Sequence, residues 1–354
     1  MNCNIKLRVD TSDDLQIQHF LKNNLPYTFQ EKGFYWQYNR IDSIFCYVTD
    51  DKNKIIGVNG IIPYYLSSNN IKIKSAKNET GYIHSSFQGK GVFKKLYNEL
   101  LSNTFSSSFQ IIWGFTKLGN IWTKLGSKVY SNFLCDAFLV INPSIKKQKY
   151  KFSSDSSIKS LLRFIYNLYV FKYKFKLDDF TEKGYTIQFG LPHFQVLKAF
   201  YSKLKLIDEK LVFLEVDEFI KTYFLDSNPY QLYNYLSFFD INDELIGFLI
   251  YTKTFQSVNV VELQFLKPED VETILNIFLS EKEIFENVYD LTFFGNAKNN
   301  RIELIFDILK KKGAKLVVSE MDIVVKENQT FTNKEFLNVK NWYINLLWTE
   351  CVKR

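Results

Sequence analysis

The run Ser86-Phe87-Gln88-Gly89-Lys90-Gly91-Val92-Phe93-Lys94-Lys95-Leu96 has the residue types and spacing needed to hold a pyrophosphate. Gly89 and Gly91 lie one residue apart, so backbone N–H groups can converge there on an anion with no Cβ in the way. Val92, Phe93, Leu96, Leu100 and Leu101 recur at helical spacing, which places a helix N-terminus directly behind the glycines. That terminus adds unpaired donors and the positive end of a dipole. The cradle would be the backbone of Gln88, Gly89, Lys90, Gly91, Val92 and Phe93, with Lys90 or Lys94 screening the phosphates from outside. An isolated Gly-x-Gly is often only a turn, so the flanking elements decide its meaning.

Those flanks read as strand, loop, helix, strand. Residues 79–84, Glu-Thr-Gly-Tyr-Ile-His, form a strand that delivers the loop, and Gln110-Ile111-Ile112-Trp113-Gly114-Phe115 forms the next. Two titratable groups sit on the first of these. Glu79, if partly desolvated, suits proton removal from an attacking nucleophile; a hydrated edge-strand carboxylate is the plain alternative. His84 titrates in a range suited to base work, or else it braces the loop through a hydrogen bond. No Gly-x-Ser-x-Gly elbow is present. Cys3, Cys46, Cys135 and Cys351 have neither metal-ligand nor disulfide spacing, and His19, His84 and His193 are scattered, so no metal site is expected.

The order of elements and the residues Gln88 and Gly91 resemble the GNAT superfamily of acyl-CoA-dependent N-acyltransferases, whose signature is Gln/Arg-x-x-Gly-x-Gly/Ala. Phe93 stands where that signature has its final small residue. Lys124-Leu125-Gly126 is similar to the Lys-x-Gly that ends the following helix in that superfamily. The resemblance implies a cleft for acetyl-CoA or another acyl-CoA, and direct attack by a primary amine on the thioester. It also implies that the strand around Tyr82 and Ile83 lies along the pantetheine arm and points an N–H at the thioester oxygen, with Glu79 as the base. A tyrosine that many members use to protonate the thiolate is missing from Asn120-Ile121-Trp122-Thr123-Lys124.

The chain carries the same unit twice. Tyr35-Trp36-Gln37-Tyr38-Asn39, an Asp50-Asp51-Lys52-Asn53 turn and Ile55-Ile56-Gly57-Val58 are echoed by Tyr230-Gln231-Leu232-Tyr233-Asn234, Asp240-Ile241-Asn242-Asp243 and Leu245-Ile246-Gly247-Phe248. Where the second copy should carry the phosphate loop it reads Leu266-Lys267-Pro268-Glu269-Asp270, an ordinary acidic helix start that would repel a pyrophosphate. The expected architecture is α/β: two tandem GNAT-like units, each a mixed, mostly antiparallel twisted sheet flanked by helices. Residues 1–150 form the unit that binds acyl-CoA, 151–180 a linker with an amphipathic helix, and 181–354 a degenerate unit that shapes the acceptor site. Doubled units with one inactive half occur in the superfamily, including the Fem-type aminoacyl transferases.

Composition narrows the function classes. A net charge of +7 spread over 354 residues suits a nucleotide cofactor and lacks the basic concentration of a nucleic-acid binder. The N-terminus has no apolar signal core, no run is long enough to span a bilayer, and the cysteine usage fits a reducing cytoplasm. The Lys- and Arg-bearing stripe of residues 158–176 packs between units or lies on an anionic membrane surface. The expected acceptor is a small-molecule amine, with an amino sugar nucleotide, amino acids and peptides as candidate classes. An aminoacyl-tRNA-dependent transferase and a non-catalytic binding module are the competing readings.

Overall fold

The computed structural model describes residues 4–8, 11–25, 31–39, 42–142, 185–254 and 256–349. The first half contributes β1 (Asn4–Leu7), α1 (Asp14–Asn24), α2 (Glu31–Tyr38), β2 (Ile44–Thr49), β3 (Ile55–Ser68), β4 (Ile71–Ile83), α3 (Val92–Ser106), β5 (Ile111–Thr116), α4 (Gly119–Lys124), β6 (Lys128–Tyr130) and β7 (Leu134–Val140). The second contributes β8 (Thr186–Phe189), α5 (Phe194–Ile207), β9 (Phe213–Leu214), β10 (Asn234–Phe239), β11 (Leu245–Lys253), β12 (Ser257–Phe265), α6 (Pro268–Ser280), β13 (Asp290–Asn296), α7 (Asn300–Lys311), β14 (Lys315–Val318) and β15 (Asp322–Glu327). The linker 151–180 and the stripe 158–176 lie outside the described residues.

The repeat is visible down to single hydrogen bonds. In the β2–β3 turn Asp50 Oδ1 accepts from the N–H groups of Lys52 and Lys54, both at 2.9 Å, and Asn53 takes a φ of 58°. In the β10–β11 turn Asp240 Oδ1 accepts from Asn242 and Glu244 at the same 2.9 Å, and Asp243 takes a φ of 57°. An Asp that caps its own turn, followed by Asn or Asp in the left-handed region, is the local chemistry that fixes both hairpins. The echo weakens upstream: Tyr35 and Tyr38 lie on α2, whereas residues 230–233 are irregular.

Two sheets result, ordered β1-β2-β3-β4-β5-β15-β6, with β9 also on β3, and β14-β7-β13-β12-β11-β10-β8. Among the described residues only β4·β5 and β12·β13 form parallel ladders; the other ladders are antiparallel. The halves trade their last strands. β7 lies between β13 and β14 in the second sheet, and β15 lies between β5 and β6 in the first. The sheets therefore do not divide along the chain at residue 150. Both exchanged strands are rich in buried apolar side chains, Leu134, Ala137 and Leu139 on one and Ile323, Val324 and Val325 on the other, and each is paired on both edges.

One apolar core runs through both halves, and a second, smaller core lies under α3. The segment after β15 joins the two sheets. Trp342 and Trp348 are fully buried and meet Trp113 on β5 at ring distances of 6.3 and 4.9 Å. The tail thus packs against both sheets.

Candidate active site

The phosphate loop leaves β4 through a single 3-10 turn and enters α3 at Val92. Its two glycines carry positive φ, 73° at Gly89 and 75° at Gly91, so successive N–H groups turn toward one side. A Cβ at either glycine would meet nothing within 4 Å among the described residues, so both glycines face open space. Gly91 caps α3 with no side-chain hydrogen bond, leaving the N–H groups of the first helical turn available. Two side chains hold the loop from behind. Gln88 Nε2 donates to Ile83 O at 2.9 Å, and His84 Nδ1 accepts from Ser86 N–H at 3.3 Å. Lys90 lies over the Phe87 ring, 5.3 Å from its centroid. A pyrophosphate fits this cradle: donors converge, the space is open, and no carboxylate lies among the cradle residues.

Beside the loop the first sheet opens. β4 pairs with β5 only over Ser75–Lys77, so residues 78–83 diverge from it. Within that stretch β4 bulges: Tyr82 pairs with Val58 and Glu79 with Gly60, leaving Thr80 and Gly81 opposite Asn59. Thr80 is held at a φ of 55°, and its hydroxyl accepts from Tyr38 Oη at 2.8 Å. A β-branched residue in the left-handed region is strained, and such strain gathers at sites that re-aim a strand. His84 gives its N–H to Ile56 O on β3 at 2.9 Å. Because strand N–H groups alternate in direction, that of Ile83 points away from β3, toward the opening.

The two faces of the opening differ. On the α3 face Phe93 lays its ring against Gly81, about where a Cβ there would meet it at 3.4 Å, and stacks parallel to Tyr97 at 6.2 Å. Trp122 of α4 meets both rings edge-on and donates from Nε1 to Thr116 Oγ1 at 3.2 Å. On the opposite face Glu79 forms an ion pair with Lys77, whose side chain is fully buried. Lys77 Nζ also lies 5.9 Å from the Phe115 ring centroid, and Tyr82 packs on Phe20 of α1 at 6.0 Å.

The candidate residues therefore fall into two groups. Gly89, Lys90, Gly91, Val92 and Phe93 form the cradle and its exit, while Glu79, Tyr82 and Ile83 line the opening; Gln88, expected to offer its N–H to the phosphates, instead gives it to Ser85 O at 3.2 Å and braces the loop through its side chain. His84 belongs to neither. Its Nδ1 lone pair is committed to Ser86 N–H, so the neutral ring carries its proton on Nε2 and has no lone pair left for base work. Lys77 and the two rings that Phe93 meets, Tyr97 and Trp122, were not singled out from sequence as site residues. Burial pushes the Tyr97 phenol up to about 12 and the Cys46 thiol up to about 12, the latter helped by nearby Glu99, so both stay protonated at neutral pH.

The second sheet opens in the same way and is filled. β12 pairs with β13 only over Ser257–Val260. Into the gap goes the chain's own tail: Tyr343 Oη donates to Leu263 O, Asn345 Nδ2 to Glu262 Oε1 at 2.6 Å, and Asn296 N–H to Ile344 O at 3.1 Å. At the start of α6 Asp270 accepts from Lys267 N–H at 3.0 Å, so this helix caps itself and presents no open nest.

Burial pushes the Glu262 carboxyl up to about 8 against the opposing hydrogen bonds from Asn345 and the backbone N–H of Leu263, and Tyr201 and Tyr343 feel its charge. An unfolded Glu titrates near ~4.3. Between these values the folded chain holds a proton that the unfolded chain lacks, so stability falls as pH rises through the window and levels off above about 8. Glu262→Gln is expected to remove this part of the slope, read as urea midpoints at pH 5 and pH 9 for variant and wild type.

Two sheets, each opened beside a parallel strand pair and flanked by helices, with a phosphate-type loop in the first, define the fold: the chain has the fold of the GNAT superfamily in doubled form. Among solved structures it is similar to a probable N-acyltransferase from Enterococcus faecalis V583, with a TM-score of 0.61 at 9% identity over 92% of this chain and 72% of that one. A tandem GNAT protein from the clavulanic acid biosynthesis pathway is similar with a TM-score of 0.55 at 8% identity, covering 92% of this chain and 98% of that one. Saccharomyces cerevisiae N-myristoyltransferase with bound myristoyl-CoA is similar with a TM-score of 0.54 at 10% identity, covering 91% and 82%. No protein-family model matches the sequence, and no curated protein matches it.

Proposed function

We propose that the protein is an acyl-CoA-dependent N-acyltransferase whose first unit, the sheet of β1–β6 completed by β15, binds the cofactor, acetyl-CoA being the simplest. The observation that carries this reading is the open N–H cradle at Gly89 and Gly91 beside the gap between β4 and β5. The pantetheine arm would follow residues 81–83 toward the bulge, which requires the Phe93 ring to yield. The acceptor amine attacks the thioester carbonyl carbon, the N–H of Ile83 supports the charge that develops on oxygen, and Glu79 takes the amine proton. The C–S bond breaks, and the thiolate takes its proton from solvent. Burial among aromatic rings strengthens these interactions relative to water.

The second unit, drawn from residues 181–354, is assigned to shaping the acceptor side, because its own gap is filled by Tyr343 and Asn345. The acceptor is a small amine, an amino sugar nucleotide being the class the aromatic lining suits best. Cys46 and Cys135 are free buried thiols, which suits a reducing cytoplasm. Among the described residues no helix is long and apolar enough to cross a membrane.

Glu79→Gln is expected to lower kcat about 100-fold with unchanged acetyl-CoA affinity. The variant also strands the buried Lys77 charge, a loss of about 3–5 kcal/mol, so Lys77→Met with Glu79→Gln serves as the folded control. The double variant should recover stability and not turnover; recovery of both would remove Glu79 as the base. The function itself is tested by release of free CoA thiol across amino sugars, amino acids and peptides. Release with none of them, alongside tight CoA binding, would favour the binding-module reading, which the Phe93 ring in the cleft also supports.

A further inference from the structure

Tyr38 joins α2 to the strand that carries Glu79. Its ring is buried against Phe34 and Phe45, at 5.3 and 4.7 Å, and rests on Gly60 of β3, where a Cβ would come within 2.5 Å of it. Gly60 is the cross-strand partner of Glu79. From this seat the phenol reaches the next residue of β4, donating from Oη to Thr80 Oγ1 at 2.8 Å. The residue it holds is the one whose φ is 55°. The helix that presents the phenol is itself clamped. Arg8, ion-paired with Asp14 of α1, donates to Tyr38 O at 3.0 Å and to Asn39 Oδ1 at 2.7 Å. Trp36 donates from Nε1 to Ser227 Oγ at 3.1 Å, and a Cβ at Gly33 would overlap the Tyr230 hydroxyl, so the second half of the chain abuts the same helix. A strained residue persists where its surroundings are fixed in this way.

What flanks Thr80 gives the hold its consequence. In a regular strand residues three apart face opposite ways. Here Glu79, Thr80 and Tyr82 share the face toward Lys77, Tyr38 and Phe20, while Gly81 and Ile83 turn to the other, against Phe93 and the core under α3. The left-handed residue is what makes this change of phase. The carboxylate of Glu79 and the N–H of Ile83 therefore straddle Thr80, and their spacing depends on its backbone. A threonine left to itself returns to ordinary strand dihedrals, which would straighten the bulge and move the two groups relative to each other.

We infer that Tyr38 is a positioning residue for acyl transfer: its hydroxyl keeps Thr80 in the left-handed conformation that sets Glu79 and the Ile83 N–H at their working spacing. The catalytic consequence rests on the N-acyltransferase reading; the hold on Thr80 does not. Tyr38→Phe removes one hydroxyl and leaves the ring on Gly60. Thr80→Gly supplies a residue that takes this φ without strain and needs no hold. The first readout is amide exchange of the peptide 78–84 in the full chain without ligand. Tyr38→Phe is expected to speed it at least about tenfold while the peptide 88–95 stays unchanged, and to add nothing in the Thr80→Gly background. The second is thiol release from acetyl-CoA with a pool of D-glucosamine, L-lysine and diglycine as acceptors. Tyr38→Phe is expected to lower kcat about tenfold or more with acetyl-CoA affinity within about twofold of wild type. Thr80→Gly should keep kcat within about threefold, and the double variant should match it. Unchanged exchange in Tyr38→Phe, unchanged kcat, the same fractional loss of kcat in both backgrounds, or a loss of acetyl-CoA affinity as large as the loss of kcat would each overturn the inference. Faster exchange in Tyr38→Phe beside a wild type that releases no thiol would instead uphold the hold on Thr80 and overturn the acyltransferase reading.

Discussion

Gly91→Asp is expected to weaken acetyl-CoA binding at least about 100-fold, about 2.7 kcal/mol, while leaving the protein folded. Gly91 holds a φ of 75° at the mouth of α3, and a Cβ there would meet no atom within 4 Å. The new side chain therefore projects into open space at the mouth of α3, beside the proposed pyrophosphate site. Its negative charge would take up the donors of Gly89, Lys90 and the first turn of α3 and repel the phosphates. The structural cost is limited to backbone strain, roughly 1 kcal/mol, because Asp tolerates the left-handed region better than most residues. Gly91→Ala separates the two effects: it carries the strain without the charge and should weaken binding far less. Equal losses in both variants, measured by calorimetry with a thermal melt as control, would show that loop shape and not anion binding was lost.

Trp342→Ala is expected to cost about 3–5 kcal/mol, a large share of the roughly 5–15 kcal/mol that holds a typical protein folded. The indole is fully buried, donates from Nε1 to Phe336 O at 2.9 Å, and packs against Trp113 and Trp348 at 6.3 and 5.4 Å. The backbone beside it is tied to the second half through Val212, which gives its N–H to Asn341 O and accepts from Tyr343 N–H. Since this residue touches β5 of the first sheet and anchors the tail that fills the second, both sheets should lose stability together. Urea unfolding followed by fluorescence and by far-UV circular dichroism should shift to the same lower midpoint. A shift confined to one probe would mean that the tail stabilises a single sheet.

What was legible in the sequence was local. The Gly89–Gly91 loop, the two Asp-capped hairpins and the self-capped start of α6 each depend on residues within about five positions of one another, and each lies where the pattern placed it. The exchange of β7 and β15 was not legible, because a short apolar strand matches either sheet equally well and its choice is made by partners more than a hundred residues away. The bulge at Thr80 was hidden for a different reason: a β-branched residue signals regular strand, and only the Tyr38 hydroxyl, forty-two positions upstream, holds it otherwise. Lys77 did leave a signal. It falls in phase with Ile73 and Ser75 on β4, and an ionisable residue on that inward phase announces a buried partner, here Glu79. Phe93 was noticed as a departure at the end of the loop motif, but its destination against Gly81 needed the bulge to be known first.

One working cofactor cleft, with the other filled by the chain itself, fixes the stoichiometry of acetyl-CoA binding. Calorimetric titration of the full chain is expected to give one site per chain with a dissociation constant in the micromolar class, about −8 kcal/mol. Two sites per chain, or no heat of binding at any concentration up to millimolar, would contradict it.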